Sequence, residues 1–296
     1  MIKKGIILAG GNGSRVGPST KAISKQLIPL ADKPIIFYSL SILMLLNIKD
    51  ILIIVKKEDL SNYKKLLGNG KDFGIKINYA IQDKPRGLPE AFIIGKKFIK
   101  NNNVALILGD NFFHGQGLIE LLNNKLINFD SGANIFSYNV RNPSAYGVIE
   151  QNKTKIKIIE KPKKTNSTKA ITGLYFFDKN ASRLSSKLKK SKRGELEITD
   201  LIDIYLQKKL LDVCKISKQN FFWMDLGSIK SIIKAQKIVL KNYNNLKDAN
   251  GYLEYIALEN KLITKKMALK RLVRYGKNEY TDKIFKLINL KKKNGF

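Results

Sequence analysis

A β-rich apolar run, Lys4 to Ala9, passes without a spacer into Gly10-Gly11-Asn12-Gly13-Ser14-Arg15, and few folds accommodate that junction. Glycine lets the backbone take positive φ and lets a ligand approach it closely. Successive N–H groups in such a loop form a concave nest for phosphate oxygens. Arg15 and Lys25 add fixed positive charge, the guanidinium able to engage two oxygens and the ammonium acting as a compact point charge. The spacing departs from the dinucleotide fingerprint, because Gly11 and Gly13 are followed by Val16 where a third glycine belongs. The other common phosphate loop ends in Gly-Lys-Ser/Thr, which is absent. From the glycines alone, a tight strand-to-helix turn without a ligand remains an alternative.

The pattern downstream supports a strand-first α/β fold. Strands are predicted at Asp50–Val55, Ile77–Gln82 and Val104–Gly109, and helices at Pro34–Leu46, Glu58–Leu67 and Leu88–Ile99. Asp32 reads as a cap for the first helix and Gly68 as the stop of the second. Such alternation implies a parallel sheet between helices, with ligands beyond the carboxyl ends of its strands. After residue 130 the rhythm changes to successive strands with short turns: Ala133–Val140, Gly147–Gln151, Lys155–Glu160 and Ala170–Phe177. Helical patterns return at Ile198–Lys209, Ser228–Tyr243, Lys265–Arg274 and Tyr280–Leu290. The expected fold class is α/β: a Rossmann-like mixed, mostly parallel sheet flanked by helices, with a helical C-terminal appendage.

Composition excludes several classes. A chain of 296 residues, 44% of them hydrophobic, can bury a large core. Its single cysteine, Cys214, rules out an internal disulfide, suits a reducing compartment, and reads as core filling. The longest apolar run, Pro34 to Ile48, is too short to span a membrane, and the N-terminal run is too short for a signal peptide. A cytoplasmic protein is expected. The net charge of +31 favours anionic ligands. Its lysines are spread along the chain, however, without the aromatic-laced basic stripe of a nucleic-acid binder, so no specific nucleic-acid partner is expected.

Gly10 to Arg15, then Pro18 and Thr20, then Ser24-Lys25-Gln26-Leu27-Ile28-Pro29 together resemble the signature of the sugar nucleotidylyltransferases, and look most like the branch that transfers a thymidylyl group to glucose-1-phosphate. The resemblance implies that Leu8, Gly10, Gly11, Gly13, Ser14, Arg15 and Gln26 hold a nucleoside triphosphate, with Arg15 and Lys25 catalytic. It continues in order along nearly the whole chain. Leu108-Gly109-Asp110-Asn111 and Trp223-Met224-Asp225-Leu226-Gly227 resemble the segments that carry two metal carboxylates, which makes Asp110 and Asp225 the candidate Mg²⁺ ligands. Magnesium takes few protein ligands and completes its shell with water and phosphate oxygens, so two carboxylates suffice. Gln82 and Gly87 resemble the base-reading segment, with Asp110 also at the nucleotide. An amide carries both donor and acceptor and can pair with a pyrimidine edge. Here the chain departs from the pattern: Arg86 stands where an acidic residue is usual, and Pro89-Glu90 replace a small residue and Gln.

For the acceptor, Tyr146, Gly147, Glu160, Lys161, Thr172 and Gly173 fall in matching segments, the glutamate implied to bond sugar hydroxyls and the lysine the sugar phosphate. Arg193 to Asp200 matches a further segment, whose acids are read in a mixed role, lining the sugar pocket and capping the next helix, whose start Thr199 and Asp200 suit. His114, the one histidine, is given no catalytic role. The resemblance divides the chain into a nucleotidyltransferase domain over 1–245, with a nucleotide part to about 130 and a sugar part over about 131–228. Residues 246–296 form a helical region implied to mediate oligomerisation, a homotetramer by analogy, or regulation. The substrates implied are dTTP and glucose-1-phosphate. UTP or another nucleotide or sugar phosphate stays open, as does a non-catalytic nucleotide-sugar sensor or nucleic-acid-binding homologue.

Overall fold

The structure, a computed structural model, describes residues 2–11, 13–152, 155–217, 221–245 and 249–293. Asn12 of the glycine loop and residue 246, where the C-terminal region was expected to begin, lie outside the described residues.

In chain order the strands are β1 (Lys4–Leu8), β2 (Pro29–Leu30), β3 (Lys33–Pro34), β4 (Asp50–Val55), β5 (Lys76–Ile81), β6 (Val104–Leu108), β7 (Asn111–His114), β8 (Ala133–Asn139), β9 (Gly147–Gln151), β10 (Ile156–Glu160), β11 (Lys169–Phe177), β12 (Leu211–Ile216) and β13 (Phe222–Asp225). Nine of them form one sheet with the path β10-β9-β11-β6-β1-β4-β5, and β8 and β12 add to it beside β11. Pairing is parallel among β5, β4, β1 and β6, and antiparallel where β11 joins β6, β8 and β9. The mixed sheet with a parallel core and flanking helices is thus present as expected.

β1, β4 and β6 read as unbroken apolar runs because helices cover both faces of the parallel core, leaving no solvated side to alternate with. One face holds the long helix Ile35–Leu45, buried at every residue from Ile35 to Met44. A helix that is apolar all round must be covered all round. Its second cover is the C-terminal helix Leu253–Glu259, which shares one apolar core with it through Met44, Leu253 and Ile256. Asn250 ties the same region down, its Nδ2 donating to the Phe113 carbonyl at 2.6 Å and its Oδ1 accepting from Ser41 Oγ at 2.7 Å. Arg271 is clamped beneath, donating to Glu254 at 2.8 Å and to Asp72 at 2.6 Å.

Several expectations shift. Asp32 caps nothing: its carboxylate pairs with Lys33 at 2.5 Å and accepts from Tyr252 Oη at 3.0 Å, and the helix begins after Pro34 without a side-chain cap. The helix expected over Leu88–Ile99 is two, Glu90–Ile94 and Lys96–Ile99, broken at Gly95. Thr199 and Asp200 do not cap their helix, which begins at Ile198 behind Glu197. Cys214 is buried in β12, a strand the sequence did not show plainly.

Candidate active site

The backbone ladders of the parallel core run one residue past their strands. Ala9 donates to the Ile54 carbonyl (2.8 Å), Gly109 to that of Leu8 (2.9 Å), and Gln82 to that of Val55 (2.8 Å). Three chain segments far apart in sequence therefore leave the same carboxyl edge together: the glycine loop, Gln82 and Gly109-Asp110. That edge is where ligands of such sheets bind.

A short ribbon brings the fourth. β7 and β13 pair antiparallel with Asn111 opposite Asp225, and Leu226 donates to the Asp110 carbonyl at 2.9 Å. The two candidate metal carboxylates are thereby set side by side. Each meets one of the candidate catalytic cations. Buried Lys25 donates to the Asp110 carboxylate. Arg15, largely exposed, places a guanidinium nitrogen 3.5 Å from Asp225. Burial and the charge of Asp110 push the Asp225 carboxyl up to about 6, with Lys25 and Arg15 pulling the other way. Two carboxylates held together against their own repulsion form an oxygen-only donor pair, which fits a hard cation such as Mg²⁺. Among the described residues no group of three or more His, Cys, Asp or Glu side chains gathers to hold a metal.

Asn111 holds the arrangement together, a role that its place in the motif does not announce. Its buried Oδ1 accepts from Trp223 Nε1 at 2.6 Å and from the Gly173 backbone at 3.0 Å, while its Nδ2 donates to Asp110 at 3.2 Å. One amide thus fixes the first carboxylate, the ribbon carrying the second, and β11. An asparagine directly after a strand-end aspartate was the available signal.

The sugar-side candidates are gathered by antiparallel register. Gly147 of β9 lies opposite Glu160 of β10, and Lys161 then donates its backbone N–H to the Tyr146 carbonyl at 3.0 Å. Lys161 has φ of 41°, in the region that L-residues with side chains rarely adopt, and such strain collects at working sites. Thr172 and Gly173 sit in β11 where its register against β8 shifts between Ile171 and Tyr175. The Thr172 hydroxyl is buried with no hydrogen-bond partner among the described residues. Burial pushes the Glu160 carboxyl up; Lys161 opposes this and Glu197 adds to it. Burial works against the Glu197 charge too, but hydrogen bonds from Arg193 (2.6 Å) and Ser191 (2.5 Å) outweigh it and hold that carboxyl below its ordinary value.

A cavity of about 600 Å³ joins the two sides. Of the candidates, Leu8, Gly11, Arg15, Gln82, Gly87, Asp110, Tyr146, Gly147, Glu160, Lys161, Thr172, Gly173 and Asp225 line it. Glu195 and Glu197 line it as well, and Glu197 stands at the start of the helix Ile198–Gln207 without a side-chain cap bond. Gly10, Gly13, Ser14, Lys25 and Gln26 do not. Lys25 and Gln26 are buried beneath the loop, where Gln26 accepts from Ser24 Oγ at 2.7 Å, and Gly13 is held to Thr20 Oγ1 at 3.0 Å. Gly10 lies against Gln82, where an added Cβ would fall 2.5 Å from Oε1.

Gly87 closes one wall. Its φ is 105°, and a Cβ there would fall 1.9 Å from the Leu196 carbonyl oxygen. Gly87→Ala is expected to destabilise the fold by at least about 2 kcal/mol through strain and clash together. Urea denaturation followed by circular dichroism measures this, and a wild-type midpoint would contradict the packing.

With fold and site in view, the comparisons identify the class. Residues 4–242 match the family model for nucleotidyl transferases, and the chain belongs to that family. It is 46% identical over 290 residues to the glucose-1-phosphate thymidylyltransferase of Neisseria meningitidis, covering 96% of this chain and 99% of that one. The enzyme of the same name from Xanthomonas campestris is 45% identical over 239 residues, 80% of each chain. Among solved structures, a candidate glucose-1-phosphate thymidylyltransferase from Bacillus anthracis in complex with sucrose superposes with a TM-score of 0.73 at 36% identity, covering 79% of this chain and 94% of that one. A UDP-glucose pyrophosphorylase bound to UDP-glucose shares the fold, with a TM-score of 0.71 at 24% identity.

Proposed function

We propose that the chain transfers a thymidylyl group from dTTP to glucose-1-phosphate, giving dTDP-glucose and pyrophosphate. The observation that carries this is the pair Asp110 and Asp225, each met by a cation and both lining one cavity with Lys161 and Glu160. A phosphate oxygen of the sugar phosphate attacks the α-phosphorus of the nucleotide. The new P–O bond forms as the bond to the bridging oxygen breaks, and pyrophosphate leaves with that electron pair. A phosphate monoester is already a nucleophile near neutral pH, so alignment and charge neutralisation carry the catalysis. Arg15 and Lys25 offset charge on the triphosphate, Lys161 holds the attacking phosphate, and Glu160 orients the sugar through its hydroxyls. Mg²⁺, held by Asp110 and Asp225, would supply further neutralisation of the phosphate oxygens.

In this reading residues to about 130 serve the nucleotide and residues of about 131–228 the sugar, in a cytoplasmic enzyme. The helices after residue 249 support association of copies, tetrameric by analogy, together with the exposed Ile229, Ile233 and Leu240 of the helix Ile229–Lys241. Light scattering of the purified chain tests the assembly.

Pyrophosphate release measured over a matrix of nucleoside triphosphates and sugar-1-phosphates tests the reaction. The pair dTTP and glucose-1-phosphate should give the highest kcat/KM; activity only with other pairs would overturn the assignment. Arg15→Ala should lower turnover about a hundredfold, the typical worth of one electrostatic group in such a site. Because its side chain is 67% exposed, the melting temperature should stay at the wild-type value. Near-normal turnover would remove Arg15 from the machinery.

A further inference from the structure

The helix Leu60–Leu67 lies outside the cavity lining, yet its first turn holds the residue next to Lys25. That residue, Ser24, is buried and stands ahead of the short turn Lys25–Leu27, where its hydroxyl makes no cap bond. The hydroxyl instead donates to Gln26 Oε1 at 2.7 Å and lies 3.0 Å from Tyr63 Oη. A serine hydroxyl carries one proton, so with Gln26 accepting it the phenol donates and Ser24 accepts. Tyr63 is fully buried, and burial pushes its phenol up, which keeps it a donor. Asp59, at the cap position of the same helix, makes no side-chain cap bond and accepts from the Ser24 backbone N–H. With Leu27 donating to the Ser24 carbonyl at 2.9 Å, every polar group of Ser24 is committed.

We infer that Ser24 is a positioning residue for Lys25: anchored on Asp59 and Tyr63, it fixes the backbone from which the lysine reaches Asp110. The inference rests on reading Lys25 as a cation of the transfer reaction. A lysine carries its charge at the end of a flexible four-carbon stem, so the ammonium can be no better placed than the Cα it starts from. Lys25 follows Ser24 directly, and its ammonium donates to the Asp110 carboxylate. The bond from Ser24 to Gln26 joins the two side chains flanking the lysine and closes the turn across it. Asp59 and Tyr63 then tie that closed turn to a helix packed in the main core. Such anchoring matters most where alignment carries the chemistry, since a misplacement of about 1 Å can lower the rate by two orders of magnitude.

The test is Ser24→Ala, which removes the hydroxyl and both of its bonds and leaves the backbone bonds in place. Measured by pyrophosphate release well below the melting temperature, kcat should fall about tenfold. KM for glucose-1-phosphate should stay at the wild-type value, because Lys161 and Glu160 belong to other strands. A merely structural role would lower the melting temperature and leave kcat unchanged, or raise both KM values together, and either result overturns the inference. A double-mutant cycle with Lys25→Met adds a second readout. Once the lysine is gone, Ser24→Ala should cost less than about twofold. The full loss in that background overturns the inference, because Ser24 would then act on something else. Should Ser24→Ala not fold, Tyr63→Phe is the second variant, since it deletes one donor and keeps the ring. It should lower kcat about threefold, and an unchanged kcat there overturns the inference equally. A wild type that releases no pyrophosphate with any nucleotide and sugar phosphate, or a Lys25→Met variant with wild-type turnover, would instead remove the functional reading beneath it.

Discussion

Asp225→Asn is expected to lower turnover by about a hundredfold or more while making the protein harder to melt. The two effects have one cause. Asp225 is half-buried beside Asp110, and desolvation with the charge of Asp110 raises its carboxyl to about 6 in the fold against an ordinary 3.8. A folded-state value above the unfolded one means that the native protein binds the proton more tightly. Wild-type stability should therefore rise as pH falls from about 6 towards 4, and the charged form is a cost at neutral pH. Asparagine keeps the shape and removes the charge, so it relieves that cost together with the pH dependence. It also leaves one carboxylate where the proposed metal needs two. Melting curves in EDTA at pH 7.5 and pH 5, beside pyrophosphate release at pH 7.5, measure all three quantities. A variant that melts below the wild type at pH 7.5 would contradict the electrostatic account, and near-normal turnover would contradict the catalytic one.

The opposite substitution should fail in both respects. Lys25→Met removes the cation that pairs with Asp110, at a site where the lysine is only 6% exposed. Two carboxylates would then face each other with only the exposed Arg15 nearby. Removing one partner of a buried pair typically destabilises by roughly 3–5 kcal/mol, because the survivor is left uncompensated. Turnover should fall about a hundredfold through loss of charge neutralisation. The stability deficit should shrink at pH 5, where Asp225 takes up a proton and the repulsion fades. Urea denaturation at the two pH values tests this; a deficit independent of pH would indicate lost packing instead. The pair of variants is informative because activity falls in both while stability moves in opposite directions.

The parallel core was legible because buried strands must be apolar along their whole length, and β1, β4 and β6 fell within a residue or two of their expected bounds. The β7–β13 ribbon was not, since four residues are too few to display a period and both strands are rich in aromatics that suit either element. The same brevity hid why Asp110 and Asp225 meet: motif resemblance paired them, and only the register of Asn111 with Asp225 supplies the geometry. Asp32 misled because an aspartate ahead of a helix is an ordinary cap signal, whereas its carboxylate is taken up by the neighbouring Lys33 and by Tyr252, 220 residues away. Arg86 and Glu90 looked like a broken pattern when taken singly. In the fold they form a hydrogen-bonded triad with Gln82, whose members are close in sequence but separated by a turn that propensity does not describe.

The ribbon also fixes the order in which this molecule can become competent. The bond from Trp223 to Asn111 closes a span of 112 residues, and contacts of that separation form late because chain entropy is lost before they reward it. A growing chain can finish its glycine loop, Lys25 and Asp110 long before residue 225 has been synthesised. Such a fragment holds the glycine loop with half of its carboxylate pair. On the proposed function, the nascent protein should be inactive until the last strand docks.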